Sequence, residues 1–527
     1  MGDLERLIAD VERGPSGPDV AAFFDFDGTL IAGYSANAWY GERLRKFEVS
    51  PVELARTLRA GLDMSLRGAD VTKFMEIAVS AWAGRAADDI EELGQRLFVQ
   101  QIAGMVYPEA APLIDAHRRA GHTIAIASSA TTFQVAPLAK DLGIDNVLCT
   151  EVEVVNGLAT GQLAGPVLWG AGKADAVRGF ASDRGIDLKR SFAYGNGEED
   201  LSYLEAVGRP RPLNPDGGLA SAARDRGWPT YRFTARGRPG PVPIVRTGAA
   251  LAGLTSAVTI GATLGVLNRS RRVAANFAIG AGAEAALALA GVRLHVIGDE
   301  HLWSHRPAVF IFNHQSSLDP VIVGSLLRRD ITGVAKKEAA RDPRFAPLGL
   351  LTDVAYVDRK NSKQARSALA PVVEKLESGV SLVIAPEGTR TPTPRLAPFK
   401  KGAFHIAMQA GVPVVPIVIR NAGELMWRGS SVIRAGTIDV VVLPPVSTDG
   451  WSVERLNEHV AGIRRQYHQT FEDWLAPGRR DSDRAAPAPD RAHRSPNGGG
   501  KATPRRSKSP SKSRAGQARP RRGGARS

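Results

Sequence analysis

The sequence predicts an α/β protein: two separate α/β domains, an apolar helical segment between them, and a disordered basic tail. Three observations lead to this reading. Short apolar runs bounded by turn residues alternate with helical periodicity from residue 20 to about 235, and again from about 292 to 476. Between these zones, residues 247 to 268 hold no charge over 22 positions. After them, residues 478 to 527 carry 15 Lys or Arg against three Asp, which is +12 of the formal net charge of +14.

A chain of 527 residues with 43% hydrophobic content has room for two or three domains, each with its own core. Apart from the tail, it is nearly neutral. The single cysteine, Cys149, excludes an intramolecular disulfide, suits a reducing compartment, and reads as a small buried hydrophobe. The opening "MGDLERLIADVERG" is acidic and lacks the basic-then-apolar layout of a secretory signal. Arg6 stands where an N-myristoylation signal wants Ser or Thr, so the N-terminal domain is expected in the cytoplasm.

In the first domain, residues 1–235, the strand candidates are "VAAFF", "TIAIAS" and "SFAYG". Residues of about 33–110 read as helices inserted between the first two, a cap. Asp25 and Asp27 lie two apart in the turn leaving the first strand, where a lone pair would be read as caps of the next helix. Further elements follow in order: Ser128 ends "TIAIAS", Lys173 lies in "GAGKADAV", and Asn196 and Asp200 lie in the acidic loop "YGNGEED". Together they supply what phosphoryl transfer needs: a carboxylate nucleophile, a second carboxylate for the proton, a hydroxyl and an ammonium for phosphoryl oxygens, and oxygen ligands for Mg²⁺.

In these motifs, over residues of about 20–235, the chain resembles the haloacid dehalogenase phosphatases, in their phosphoserine-phosphatase-like branch with a helical cap. The segment "LNPDGGLASAARDRGWP" looks like that branch's closing segment. The resemblance implies a Rossmann-like fold, with Asp25 as nucleophile, Asp27 as acid/base, Ser128 and Lys173 as phosphoryl clamp, and Mg²⁺ held by Asp25, Asp27, Asn196 and Asp200. Asn196 departs from the pattern, because many members have Asp there. An amide oxygen brings no negative charge, so weaker ion binding and a slow phosphatase are expected, offset in part by Asp200 and Glu199.

Residues 236–291 are expected to contact membrane. The uncharged stretch, as a helix, spans about 33 Å, and "VAANFAIGAGAEAALALAGV" follows "RSRR", interrupted by Glu284. A transmembrane hairpin would put Arg269, Arg271 and Arg272 on the non-cytoplasmic side, against the positive-inside tendency. A single span would part the two domains. Two helices in one leaflet, with the arginines among headgroups, are therefore favoured over a soluble helix pair.

The second domain, residues 292–476, has "AVFIF", "SLVIAP", "VPVVPIVI" and "IDVVVLPP" as strand candidates. His314 and Asp319 follow the first in "NHQSSLDP". The same spacing recurs at His468 and Asp473, but within a helical pattern, where five residues turn roughly 140° and part the side chains. A loop after a strand can join them. Downstream come Arg359 in "VAYVDRKN", then Glu387, Gly388, Arg390, Lys400 and Lys401 in "VIAPEGTRTPTPRLAPFKKGAFHIA". Pro413 and Pro416 in "AGVPVVPIVI" would by themselves suggest an edge strand. A His/Asp pair followed by cations is what acyl transfer to a phosphate-bearing alcohol requires.

In this order and spacing, residues 292–445 resemble the glycerophospholipid acyltransferases, nearest the 1-acylglycerol-3-phosphate acyltransferases, with "NHQSSLD", "AYVDR", "PEGTR" and "VPVVPI" as its four blocks. The resemblance implies His314 as general base and Asp319 as its partner. It places Arg359, Glu387, Gly388 and Arg390 in acceptor binding or site architecture, and Lys400 and Lys401 on the phosphate. Acyl-CoA and acyl-carrier protein remain open as donors.

The whole layout resembles bifunctional fusions of a phosphoserine phosphatase with a lysophosphatidate acyltransferase. The expectation is a phospholipid-biosynthesis enzyme on the cytoplasmic face of a membrane, making phosphatidate from lysophosphatidate and an acyl thioester, with an Mg²⁺-dependent hydrolase domain attached. The alternatives are glycerol 3-phosphate or another lysophospholipid as acceptor, or a phosphatase whose C-terminal half only docks it to membranes. The tail, residues 477–527, lacks apolar periodicity and reads as disordered. Its cations suit anionic lipid, at about 1 kcal/mol each near a charged surface. With no interleaved aromatics to stack bases, lipid is favoured over nucleic acid, and a solubilising tail stands level with it.

Overall fold

The computed structural model describes residues 2–46, 49, 71–237, 239–336, 354–357, 370–393 and 395–475. The expectations for Arg359 and for the tail from residue 477 lie outside the described residues.

The N-terminal domain holds β1 (Ala21–Phe24), β2 (Thr123–Thr131), β3 (Asn146–Thr150), the hairpin β4 (Val152–Val155) and β5 (Leu158–Leu163), β6 (Phe192–Gly195) and β7 (Arg209–Pro212). Five of these form a parallel sheet in the order β3-β2-β1-β6-β7. All four residues of β1 are buried, which explains why "AAFF" shows no alternation: helices cover both faces. The chain leaves β1 for β2 on one side and returns through β6 on the other. The loop after β1 therefore opens into the crevice at the carboxyl ends of the strands.

Helices α1 (Ala36–Arg45), α2 (Val71–Ser80) and α3 (Ala87–Gln100) lie in the insertion after β1. The β4–β5 hairpin closes on them through a bridge between Ala86 and Leu158 and a bond from Ala87 N to Gly157 O of 2.9 Å. Its turn is Asn156-Gly157, with φ of 53° and 78°, the left-handed pair a two-residue hairpin demands.

Helices α4 (Thr132–Leu142) and α5 (Ala171–Arg184) follow β2 and β5, and α6 (Pro241–Leu267) and α7 (Arg271–Ala290) form the apolar segment. Small residues let these last two approach closely: Gly253 meets Leu289, Gly261 meets Ala278, and Gly265 meets Ala274. Both helices are long and apolar enough to cross a membrane. Their surroundings differ, however. α6 exposes Val242, Ile244, Val245, Ile260, Val266 and Leu267, whereas α7 is buried over half its apolar window. α7 packs on α8 (Asp319–Leu327), where Gly324 touches Ile279 and Ala283. Arg272 does not project freely: its Nε is 2.6 Å from Asp330 Oδ1.

The second sheet has seven strands in the order β11-β10-β12-β9-β13-β14-β8. These are β8 (Val292–Ile297), β9 (Val309–Phe312), β10 (Ile331–Lys336), β11 (Ala355–Val357), β12 (Ser381–Ile384), β13 (Val414–Ile419) and β14 (Gly436–Val442). Within it, among the described residues, only β13 and β14 pair antiparallel. The edge-strand reading of Pro416 is corrected here, because β13 lies inside the sheet. Pro416 O accepts from Leu443 N at 2.9 Å, so its missing N–H faces the point where β14 has just ended at Val442. The one bond the proline forgoes is the reciprocal one to Leu443, at the end of the ladder. Helices α9 (Gly402–Gln409) and α10 (Leu456–Leu475) cover the face opposite α7 and α8. His468 and Asp473 both lie on α10.

The two domains touch. Thr393 Oγ1 donates to Asp141 Oδ2, and Arg395 Nη1 donates to Asp141 O at 3.1 Å, so a loop of the second domain rests on the end of α4.

Candidate active sites

In the first site, Asp25 leaves β1 and is held to β6 by its N–H, which donates to Tyr194 O at 2.9 Å. Lys173, near the start of α5, places Nζ 2.8 Å from Asp25 Oδ1 and 2.6 Å from Asp200 Oδ1. All three side chains are buried. Burial raises the Asp25 carboxyl above the usual carboxylate range, and the Lys173 ammonium offsets only part of that rise. The two acids also hold the lysine firmly protonated against its own burial.

Asp27 is oriented by Ser35, whose N–H donates to Oδ1 at 2.7 Å and whose hydroxyl donates to Oδ2 at 3.1 Å. Burial pushes its carboxyl up to about 6. Ser128 is fully buried at the carboxyl end of β2, beside the end of β1, and its Oγ accepts from Ala130 N at 3.1 Å.

Asn196 faces the loop after β1. Its amide nitrogen donates to Asp27 O at 2.9 Å, Thr29 Oγ1 at 3.1 Å and Asp25 Oδ2 at 3.3 Å. With the amide turned by 180°, its oxygen would stand beside Asp27 O and Asp25 Oδ2, oxygen donors of the kind Mg²⁺ takes. Asp200 belongs to the same cluster: its Oδ1 shares Lys173 with Asp25, and its Oδ2 accepts from Asn196 N at 3.0 Å. It braces the lysine and the loop. Gly28, at φ 82°, is a position only glycine fills, because a Cβ there would lie 2.2 Å from Asn196 Nδ2.

In the second site, His314 follows β9 and Asp319 opens α8. Asp319 Oδ2 lies 2.9 Å from His314 Nδ1 and accepts from the N–H groups of Gln315 and Ser316, each at 2.7 Å. The carboxylate is fully buried, while the imidazole is partly exposed. Glu387 does not face outward with the cations. Its Oε1 accepts from His314 N at 2.7 Å and Oε2 from Ala397 N at 2.9 Å, tying the two loops together. Burial pushes its carboxyl up to about 7, opposed by those two N–H groups.

Arg390 Nη1 donates to Ser317 Oγ, which brings the guanidinium to the His314 loop. Lys400 lies across Gly388, whose φ is 75°. Lys401 is exposed at the start of α9 and borders a groove with Arg464, Arg465 and His468 of α10, so the two lysines diverge.

Several participants carry no motif of their own in the sequence. Asn313 joins β9 to β13 by exchanging bonds of 2.7 Å with Ile419 N and O. Arg428 Nη1 donates to Arg390 O at 2.6 Å, and Tyr467 Oη donates to Ile311 O at 2.9 Å beneath the site. Asn313 had a signal in its place beside His314. Arg428 and Tyr467 had none, since their partners are distant in the chain.

With this geometry in place, the chain divides into a hydrolase-type domain and an acyltransferase-type domain. The haloacid dehalogenase-like hydrolase family model matches residues 22–205, and the acyltransferase family model matches residues 293–420. The chain is 32% identical over 251 residues to a phosphoserine phosphatase of Mycobacterium tuberculosis, covering 47% of this chain and 78% of that protein. It is 36% identical over 181 residues to a 1-acyl-sn-glycerol-3-phosphate acyltransferase of Limnanthes alba, covering 34% of this chain and 63% of that one. It thus spans under two thirds of the latter's length. A solved 1-acyl-sn-glycerophosphate acyltransferase of Thermotoga maritima is similar at a TM-score of 0.37 and 24% identity, over 43% of this chain and 97% of that one. The chain belongs to the haloacid dehalogenase-like hydrolases, and its C-terminal half carries an acyltransferase domain.

Proposed function

We propose that the C-terminal domain transfers a fatty acyl group from a thioester to the free hydroxyl of 1-acyl-sn-glycerol 3-phosphate, giving phosphatidate. The observation that carries this is the His314–Asp319 pair. Asp319 fixes the tautomer with the proton on Nδ1, which leaves Nε2 to take the acceptor's hydroxyl proton. The alkoxide attacks the thioester carbonyl, the C–S bond breaks, and the departing thiolate takes the proton back. Arg390 and Lys400 suit the acceptor's phosphate, and Arg359 is proposed to join them. Glu387 and Gly388 build the loop, and Lys401 serves less directly. The relatives' names favour lysophosphatidate over glycerol 3-phosphate.

The test uses labelled acyl-CoA and acyl-carrier protein with a panel of acceptors. Lysophosphatidate is expected to be acylated fastest. Faster acylation of glycerol 3-phosphate would move the assignment to that acceptor, and no transfer at all would leave only a membrane-docking module.

For the N-terminal domain the proposal is hydrolysis of a phosphate monoester. Asp25 attacks phosphorus, Asp27 protonates the leaving alcohol and then deprotonates the water that releases phosphate, and Lys173 and Ser128 hold phosphoryl oxygens. Mg²⁺, when bound by Asp25, the Asp27 carbonyl and Asn196, supplies positive charge to those oxygens.

The membrane contact is proposed to be interfacial and on the cytoplasmic side. α7 packs on α8, which carries Asp319, and this contact favours an interfacial pair over a spanning one. α6 presents its apolar face outward instead. Liposome flotation is expected to carry the chain, and Val245→Asp with Val266→Asp on α6 to release it. Flotation unaffected by the double change would remove α6 as the contact.

A further inference from the structure

Asp25 is 5% exposed, and Lys173 and Ser128 are buried beside it, so a phosphate monoester meets the nucleophile only after part of its cover has moved. The insertion after β1 is the part free to do so, because it joins the core by two chain crossings alone, Ile31–Gly33 going out and Gly104–Val106 coming back. The crossings pair with each other, through Ala32 N to Met105 O at 2.8 Å and a bridge between Ile31 and Val106, which makes them the cap's hinge.

The returning crossing is gripped from the second domain. Trp427 lies against Gly104, where a Cβ would come within 2.6 Å of the indole Nε1. Gly429 lies against the end of α3, where its own Cβ would stand 3.3 Å from Gln100 O. Arg236 Nη1 donates to Val106 O, and Arg236 and Arg434 face the Trp427 ring at 5.7 and 4.9 Å. The segment carrying Trp427 is itself fixed in the acyl-transfer site. Ser316 Oγ donates to Met426 O, and Arg428 Nη1 to Arg390 O, both at 2.6 Å. Residues 426–429 therefore bear on the His314 and Arg390 loops on one side and on the cap's hinge on the other.

We propose that Trp427 is a positioning residue for the hydrolase domain, a wedge by which the acyltransferase half holds the cap closed over Asp25. The edge of the indole fills the space left by the missing side chain of Gly104, and the two guanidiniums hold its ring in place. These contacts exist with the hinge as it stands and are lost when the crossing at Gly104–Val106 pivots, so they favour the closed state. Substrate entry to the first site is thereby set by the second domain. The inference rests on the hydrolase reading of the first site, but not on any natural substrate.

The test compares full-length wild type, Trp427→Ala, Trp427→Phe and Gly104→Ala by two readouts. One is hydrogen exchange of the amides of Gly84 and Ala87, which bond the cap to the β4–β5 hairpin at Ala159 O and Gly157 O. The other is phosphate release from p-nitrophenyl phosphate with Mg²⁺. Trp427→Ala is expected to speed exchange at least about tenfold and to raise kcat/KM at least about threefold. A merely structural role would lower that rate rather than raise it. Trp427→Phe, which keeps a ring against Gly104, should stay near wild type. Gly104→Ala should match Trp427→Ala, because its Cβ displaces the indole, and should add nothing in the Trp427→Ala background. Unchanged exchange in Trp427→Ala, or effects of the two substitutions that add, would overturn the proposal. Should Trp427→Ala fail to fold, Gly104→Ala decides the question by the same readouts. A wild type that releases no phosphate would defeat the hydrolase reading instead, and the exchange rates would still decide whether Trp427 holds the cap.

Discussion

His314→Ala is expected to lower acyl transfer by about 10²–10⁴-fold, the usual contribution of a positioned general base. The loss should fall on kcat more than on KM, because the imidazole acts on the hydroxyl proton while Arg390 and Lys400 hold the phosphate. The fold should survive. Asp319 keeps the N–H groups of Gln315 and Ser316, and Glu387 binds the backbone N–H at position 314, which alanine retains. Liposome flotation serves as the control for folding and attachment. Transfer at the wild-type rate by a folded variant would remove His314 from the chemistry.

Asp25→Asn is expected to abolish phosphate release, by on the order of 10⁴-fold or more for loss of a covalent nucleophile. Acyl transfer should be unaffected. The substitution also takes a negative charge from Lys173, which keeps Asp200 at 2.6 Å, so the ammonium is not stranded. Asp27 adds a signature in pH. Its carboxyl, raised by burial to about 6, is protonated below that value and ionised above it. Protonation of the leaving alcohol should therefore weaken as pH rises through about 6. In single-turnover measurements, release of the leaving alcohol should fall on that limb in wild type, and Asp27→Asn should lose the limb along with most of the rate. A folded Asp25→Asn protein that still releases phosphate at the wild-type rate would show that another group attacks.

The two sites differ in how far the sequence revealed them. Each first acid or base stands in a turn after an apolar run, "FFDFDGTL" or "FIFNHQSSLD", and that local context is readable because strand and turn are short-range features. The hairpin at Asn156-Gly157 has an equally local signal, but the helical stretch it closes on lies far from it in the chain. Other features could not be read locally. Pro416 looks like an edge residue, and only the end of β14 at Val442 explains how it sits in the middle of a sheet.

Residue types, order and spacing alone determined the α/β class, two groups of chemical residues in separate domains, and an apolar segment between them. These follow from periodicity and turn chemistry, which act over a few residues. Tertiary structure alone decided which groups meet. It set Lys173 between Asp25 and Asp200. It also turned Glu387 inward to brace the His314 loop, parted Lys400 from Lys401, and seated α7 on α8. The physical reason is the same throughout: a buried polar group must find its partner across the fold, and sequence spacing does not say which one lies within about 3 Å.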